Sequence, residues 1–81
     1  MVVKHQGVAV GLMRFNRTIE HKVEVSILIA PEYQGLGIAT TALQLGRRVF
    51  PGCNLWAKIH PDNRASIKSF TRAGYIATKF P

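Results

Sequence analysis

Hydrophobic and polar positions alternate along the first thirty residues and then recur with a helical period, and the change falls at residues 31–37. Ahead of it, Val2-Val3 and Val8-Ala9-Val10-Gly11-Leu12-Met13-Arg14-Phe15 are β-rich runs separated by Gln6-Gly7, which suits a tight hairpin turn. Asn16-Arg17-Thr18 reads as the next loop. From residue 19 to 29 one face carries Ile19, His21, Val23, Val25, Ile27 and Ile29 and the other Glu20, Lys22, Glu24 and Ser26, before the run turns wholly apolar. Such a strand starts half-exposed and ends buried. Pro31 has no N–H to donate and stops the ladder there.

Beyond the change, Ile38, Ala42, Leu45 and Val49 recur at i, i+4, i+7 and i+11, which predicts a helix over residues 37–49 with those four inward and Thr41, Gln44, Arg47 and Arg48 outward. The basic pair sits near the negative C-terminal end, and Pro51-Gly52 ends the helix. Alternation returns over residues 54–60, with Leu55, Ala57 and Ile59 against Trp56, Lys58 and His60. Pro61-Asp62-Asn63 then supplies a turn and an N-cap to a helix of about ten residues with Ile67, Phe70 and Ala73 inward. Gly74 stands where a left-handed residue closes such a helix, leaving Tyr75 free to fold back on the last turn. Residues 75–79 read as a last strand. The expected order is β-β-β-α-β-α-β, an α/β domain on a mixed sheet, with no linker, low-complexity tract or internal repeat.

Chemistry enters at the junction. In Gln34-Gly35-Leu36-Gly37-Ile38-Ala39 two glycines spaced by one residue leave backbone N–H groups uncovered at the positive end of a helix dipole, an arrangement that cradles anions, phosphate above all. Composition bounds the rest. The 81 residues make one small domain that buries about 60% of the surface its unfolded chain exposes, so its stability margin is thin. A hydrophobic content of 47% is too high for a disordered chain, and no apolar run approaches the roughly 20 residues of a membrane span. The N-terminal residues lack the apolar core of a signal peptide, and the single Cys53 has no internal partner, so a soluble protein of the cytoplasm is expected. A net charge of +7 attracts polyanions without naming one; the basic residues are scattered, with no aromatic-interleaved run, which disfavours nucleic acid as the main ligand. No metal-ligand spacing is present.

Two blocks together carry a resemblance. Gln34-Gly35-Leu36-Gly37-Ile38-Ala39 matches the [RQ]-x-x-G-x-[GA] signature of the GNAT acetyltransferase superfamily, following a strand and opening a helix. Asn63-Arg64-Ala65-Ser66-Ile67-Lys68-Ser69-Phe70-Thr71-Arg72-Ala73-Gly74-Tyr75 is similar to the family's second block, N-x-x-[AS]-x-x-x-[YF]-x-x-x-G-[FY]. The match covers roughly residues 7–79. Relatives usually carry a strand and two helices before the hairpin, which implies a short or N-terminally truncated member, or a domain of a longer polypeptide. Ala39 stands where many relatives have a third glycine, and Gln34 where many have Arg.

The resemblance implies that N–H groups of Gln34, Gly35, Leu36, Gly37, Ile38 and Ala39 hold the coenzyme A pyrophosphate. It implies that Ile27, Leu28 and Ile29 splay from the neighbouring strand and pair their backbone with the pantetheine arm. Asn63 is a helix cap on local grounds and a coenzyme contact by resemblance. Arg64, Lys68 or the Arg47-Arg48 pair would restore the charge that Gln34 lacks. Phe70 occupies the position of a proton-donating Tyr in many relatives; it has no proton to give and would pack against the thioester. Acetyl transfer to an amine also needs a base. Among Glu20, Glu24, Glu32 and Asp62, Glu24 is the best placed, with His60 or a water chain as alternatives; Tyr33 and Tyr75 are further hydroxyls, and Cys53 reads as a small buried residue.

The expectation is an N-acetyltransferase that binds acetyl-coenzyme A and transfers acetyl directly to an amine acceptor. The alternative is a non-catalytic module that retains the coenzyme site or uses the fold for association. A sheet with uncovered apolar surface further implies a homodimer.

Overall fold

The computed structural model describes residues 1–19 and 21–77, the side chain of Thr18 excepted. Strands β1 (Val2–His5) and β2 (Val8–Ile19) form the first hairpin. Gln6 and Gly7 take φ of 51° and 80°, the positive pair a two-residue type I′ turn requires. Pairing shifts between Val3↔Gly11 and Lys4↔Ala9, so Val10 is the extra residue of a β-bulge and turns into the core, 2% exposed. Strand β3 (Lys22–Ile29) runs antiparallel to β2 along its whole length, from Ile19↔Lys22 to Gly11↔Ile29. Asn16-Arg17-Thr18 is therefore not the expected loop. Asn16 and Arg17 pair with Glu24 and Val23, the register shifts between Arg17 and Ile19, and the chain reverses only after Ile19.

After a 3₁₀ turn at Pro31–Tyr33 comes helix α1 (Ile38–Val49), then the short strand β4 (Asn54–Trp56) and helix α2 (Arg64–Arg72). The sheet order is β1-β2-β3-β4, antiparallel except for the parallel β3–β4 pair. Alternation on β3 turns Val23, Val25 and Ile29 toward α1 and α2, where Met13, Leu43, Phe70 and Ala73 complete the core. The opposite face carries a cross-strand row of exposed Val2, Leu12 and Leu28. No helix among the described residues is long and apolar enough to cross a membrane.

Three expectations change in detail. Helix α1 buries Ala42, Leu43 and Gly46 rather than the stripe through Leu45 and Val49, both about half exposed. The large groups at this interface come from the sheet: a β-carbon on Gly46 would lie 2.9 Å from the Phe15 ring, so the helix presents its small residues to approach closely. The strand expected over residues 54–60 pairs only at Asn54–Trp56. Of the expected last strand, residues 75–77 are not laddered, and residues 78 and 79 lie outside the described residues. In α2, Phe70 and Ala73 are inward as expected while Ile67 stays partly outside, 37% exposed.

Candidate functional site

Strands β3 and β4 are paired at Lys22↔Asn54, Val23↔Leu55 and Glu24↔Trp56 and then part. From Val25 onward β3 is bonded on its β2 side alone, and since the Ala30 N–H bonds the Val10 carbonyl, the N–H and C=O groups of the alternate residues Val25, Ile27 and Ile29 face an open wedge. At the far end of the strand the chain enters residues 35–40. Gly35 and Gly37 take φ of 83° and 79°, the left-handed region that costs other residues a steric penalty. A β-carbon built on either meets nothing within 4 Å, so the space in front of them is open. Gly37 is the N-cap of α1 and has no side chain to satisfy the helix donors. The first bond at this end runs from the Thr41 N–H to the Gly37 carbonyl, 3.1 Å, and among the described residues none of the N–H groups of residues 35–40 has an acceptor. Six consecutive donors thus stand at the positive end of a 12-residue helix.

Wedge and cradle open into one cleft of about 260 Å³. The structure brings Ile27, Leu28 and Ile29 together there with Gln34, Gly35, Gly37, Ile38 and Ala39, and closes the opposite wall with Asn63 and α2. Leu36 does not line the cleft; its side chain is 61% exposed. Gln34, expected to give its N–H to the cradle, donates it instead to the Pro31 carbonyl at 3.3 Å as the close of the 3₁₀ turn, and its Nε2 donates to the Ile29 carbonyl at 3.0 Å and ties the cradle to the end of β3. Asn63 caps α2, its Oδ1 accepting from the Ser66 N–H at 3.3 Å, which leaves its amide nitrogen free.

Two expected residues stand elsewhere. Phe70 is in the core, 5% exposed, with its ring edge-on to Tyr75 at 4.9 Å between centroids, and it borders a second recess, not the cleft. That recess, about 1070 Å³, runs along β4 and is lined also by Arg47, His60 and Tyr75, and by none of the residues expected to hold the coenzyme other than Phe70 and Arg47. It is lined by Trp56 and Tyr75, whose Nε1 and hydroxyl are buried without a partner among the described residues; burial raises the Tyr75 hydroxyl pKa above its ordinary value near 10, and the Arg47 charge partly offsets this. Glu24 lies in neither cavity. It is half-buried on the sheet face away from the helices, in a cross-strand row with Asn16 and Trp56, at the last pair before β3 and β4 part. Five residues of strand, about 16 Å, separate it from Ile29.

Of the cations weighed from sequence, Lys68 lines the cleft, while Arg64 and Arg48 border neither cavity. Arg47 donates from Nη1 to the Ala73 carbonyl at 3.2 Å. Arg72, Thr40, Ser66 and Ser69 also line the cleft and were missed in sequence, although Ala65, Lys68, Ser69 and Arg72 form one helical stripe at i, i+3, i+4 and i+7. His60 is exposed and turned to Asp62, accepting its N–H at Nδ1 over 3.1 Å.

Comparison with curated proteins and with solved structures gives no match. The family model described as the acetyltransferase (GNAT) domain matches residues 1–76, a span that holds the β3–β4 wedge, the cradle at the start of α1 and the wall formed by α2. The chain belongs to the GNAT acetyltransferase family.

Proposed function

We propose that this protein is an N-acetyltransferase that takes its acetyl group from acetyl-coenzyme A and passes it to an amine by direct attack. The observation that carries this reading is one cleft in which six unshared N–H donors meet the open edge of β3. The residues suit the coenzyme on their own chemistry. Residues 35–40 hold a pyrophosphate by N–H donation at a helix N-terminus, with no side chain in the way. Along Ile27, Leu28 and Ile29 the edge offers the Ile27 and Ile29 N–H groups and the Ile27 carbonyl to an amide-bearing arm, as a strand edge does for an added strand, while Leu28 faces β2. Among the described residues no carboxylate lines the cleft to repel the ligand. When bound, the coenzyme supplies a thioester, an acyl group activated toward amines.

Glu24 stands at the apex of the wedge, where a ligand anchored at the cradle and laid along β3 ends. Its role in this reading is to take the proton of the attacking amine. Phe70 has no proton to give and lies in the core, and Tyr33 lines the cleft at its cradle end, so a leaving thiolate draws its proton from water.

Isothermal titration with acetyl-coenzyme A tests the coenzyme site. Binding is expected, and its absence at high-micromolar concentration overturns the reading. Gly37→Glu is expected to abolish binding through bulk and charge. Thiol release across a panel of amines tests the reaction: binding without turnover for any amine would leave a non-catalytic coenzyme module. Glu24→Gln is expected to lower kcat with an unchanged coenzyme Kd. Val2, Leu12 and Leu28 present an apolar row that a second copy would cover, and a strictly monomeric species in light scattering would refute that homodimer.

A further inference from the structure

We infer that the recess along β4 is a second binding site, apart from the cleft, and that it takes an apolar carboxylic acid, with the Tyr75 hydroxyl and Arg47 on the carboxylate and the hydrocarbon body against Leu55, Ile59 and Ile67. The recess encloses about 1070 Å³, and among the described residues it shares no lining residue with the cleft. Sites for small organic molecules are concave and mostly apolar, with a few polar groups that fix orientation. The apolar part follows from the chain itself. Alternation over residues 54–60 turns Leu55, Ala57 and Ile59 to the helix side, where they pack on the core, and Ile67 of α2 faces them across the recess.

The polar groups of the recess are donors. Trp56 Nε1 and the Tyr75 hydroxyl are buried, and neither has a partner among the described residues. Folding has withdrawn both from water without a bond in exchange, which leaves each in want of an acceptor. An indole N–H only donates, and burial raises the Tyr75 pKa, so that hydroxyl keeps its proton at neutral pH. The Arg47 charge acts on the same hydroxyl; its Nη1 donates to the Ala73 carbonyl, and its other N–H groups have no partner among the described residues. Lys58 adds a second cation to the lining, and no described carboxylate offsets the two. A carboxylate accepts only and carries one charge, which matches this set and forms charge-assisted hydrogen bonds with it. A second copy of the chain is disfavoured as occupant by its own net charge of +7. Residues 57–60 and 75–77, on two sides of the recess, are unladdered, so its walls yield to a ligand at less cost than paired strands do.

Trp56 is the only tryptophan of the chain, so its emission reports on the recess. The test titrates the whole chain with decanoate, decanol and decylamine, each below its micelle concentration and at low ionic strength. Decanoate is expected to shift the emission saturably with a Kd about tenfold or more below that of decanol, the factor a hydrogen bond to a charged group supplies, and decylamine to bind more weakly than decanol. Tyr75→Phe removes one donor, and Ile67→Glu sets a carboxylate on the lining at a position already 37% exposed. Each is expected to cut the preference for decanoate over decanol by about fivefold or more, with decanol affinity within about threefold of wild type. No saturable shift with decanoate, or equal affinity for decanoate and decanol, overturns the site, and that comparison needs no variant. A preference that persists in either variant overturns its placement in the recess. Displacement of decanoate by acetyl-coenzyme A overturns it too, because it puts the acid in the cleft.

Discussion

Gly37 serves two purposes that substitution separates. It holds φ of 79° and ψ of 6° as the N-cap of α1, and its N–H is one of the six, over residues 35–40, that have no acceptor among the described residues. In Gly37→Ala the added β-carbon meets nothing within 4 Å, so there is no clash and the cost is conformational, about 1–2 kcal/mol for an L-residue in the left-handed region. Against the roughly 4–12 kcal/mol that a chain of 81 residues holds in total, that is a large share, and the melting temperature is expected to fall by about 5–15 °C. Asn tolerates the left-handed region better than Ala, so Gly37→Asn is expected to melt between the two. Ligand binding runs in the other order, because the longer Asn side chain fills more of the open space before the donors. Stability is expected as wild type, then Asn, then Ala; affinity for acetyl-coenzyme A as wild type, then Ala, then Asn. Thermal melts by circular dichroism and titration calorimetry on the same samples measure both. Affinities that follow the stabilities, or remain at the wild-type value, would refute the cradle and leave Gly37 as a turn residue.

Gly11→Ala is expected to destabilise by about 1–3 kcal/mol, because its β-carbon would collide with the Leu28 backbone carbonyl across the β2–β3 ladder; chemical denaturation measures it, and an unchanged midpoint refutes that packing. Asn63→Ala is expected to lose about 0.5–2 kcal/mol with the cap, whereas Asn63→Asp keeps the cap and weakens acetyl-coenzyme A binding by adding a negative charge to the cleft wall. For Tyr75 the raised hydroxyl pKa means the folded chain favours the neutral form, so its contribution is complete below pH 10 and is lost as pH rises through the folded value. Tyr75→Phe is expected to flatten that alkaline loss and, by removing a buried hydroxyl with no partner among the described residues, to leave stability at pH 7 equal or higher; a steeper alkaline loss in the variant refutes the assignment.

The elements that local chemistry specifies were legible in the sequence. Gln6-Gly7 made its turn, Asn63 its cap and Gly74-Tyr75 its closing motif, because each depends on residues within a few positions. The face of α1 was not legible. Its sequence holds two overlapping apolar stripes, and the choice between them was made by Phe15, a residue thirty-one positions from the Gly46 it packs against. The length of β2 was hidden for a similar reason: Asn16 and Arg17 have loop-like side chains, but their backbones pair with Glu24 and Val23 of β3.

The cleft divides along the same line. Its cradle is contiguous in sequence and could be read as a glycine pattern, whereas its wedge is a relation between strands thirty residues apart and is visible only in the register that stops at Glu24↔Trp56. That register also explains why Glu24 drew notice in the sequence without an evident link to the glycines. The strand between them is a spacer of about 16 Å, and its wedge edge presents the backbone groups of Val25, Ile27 and Ile29, of which the Ile29 carbonyl is held by Gln34. Cradle, edge and carboxylate therefore lie along one line of the fold, and a ligand that used only the cradle would leave that row unsatisfied. In the proposed function an extended, amide-bearing donor pairs with those groups along β3, which a simple phosphate at the cradle does not reach.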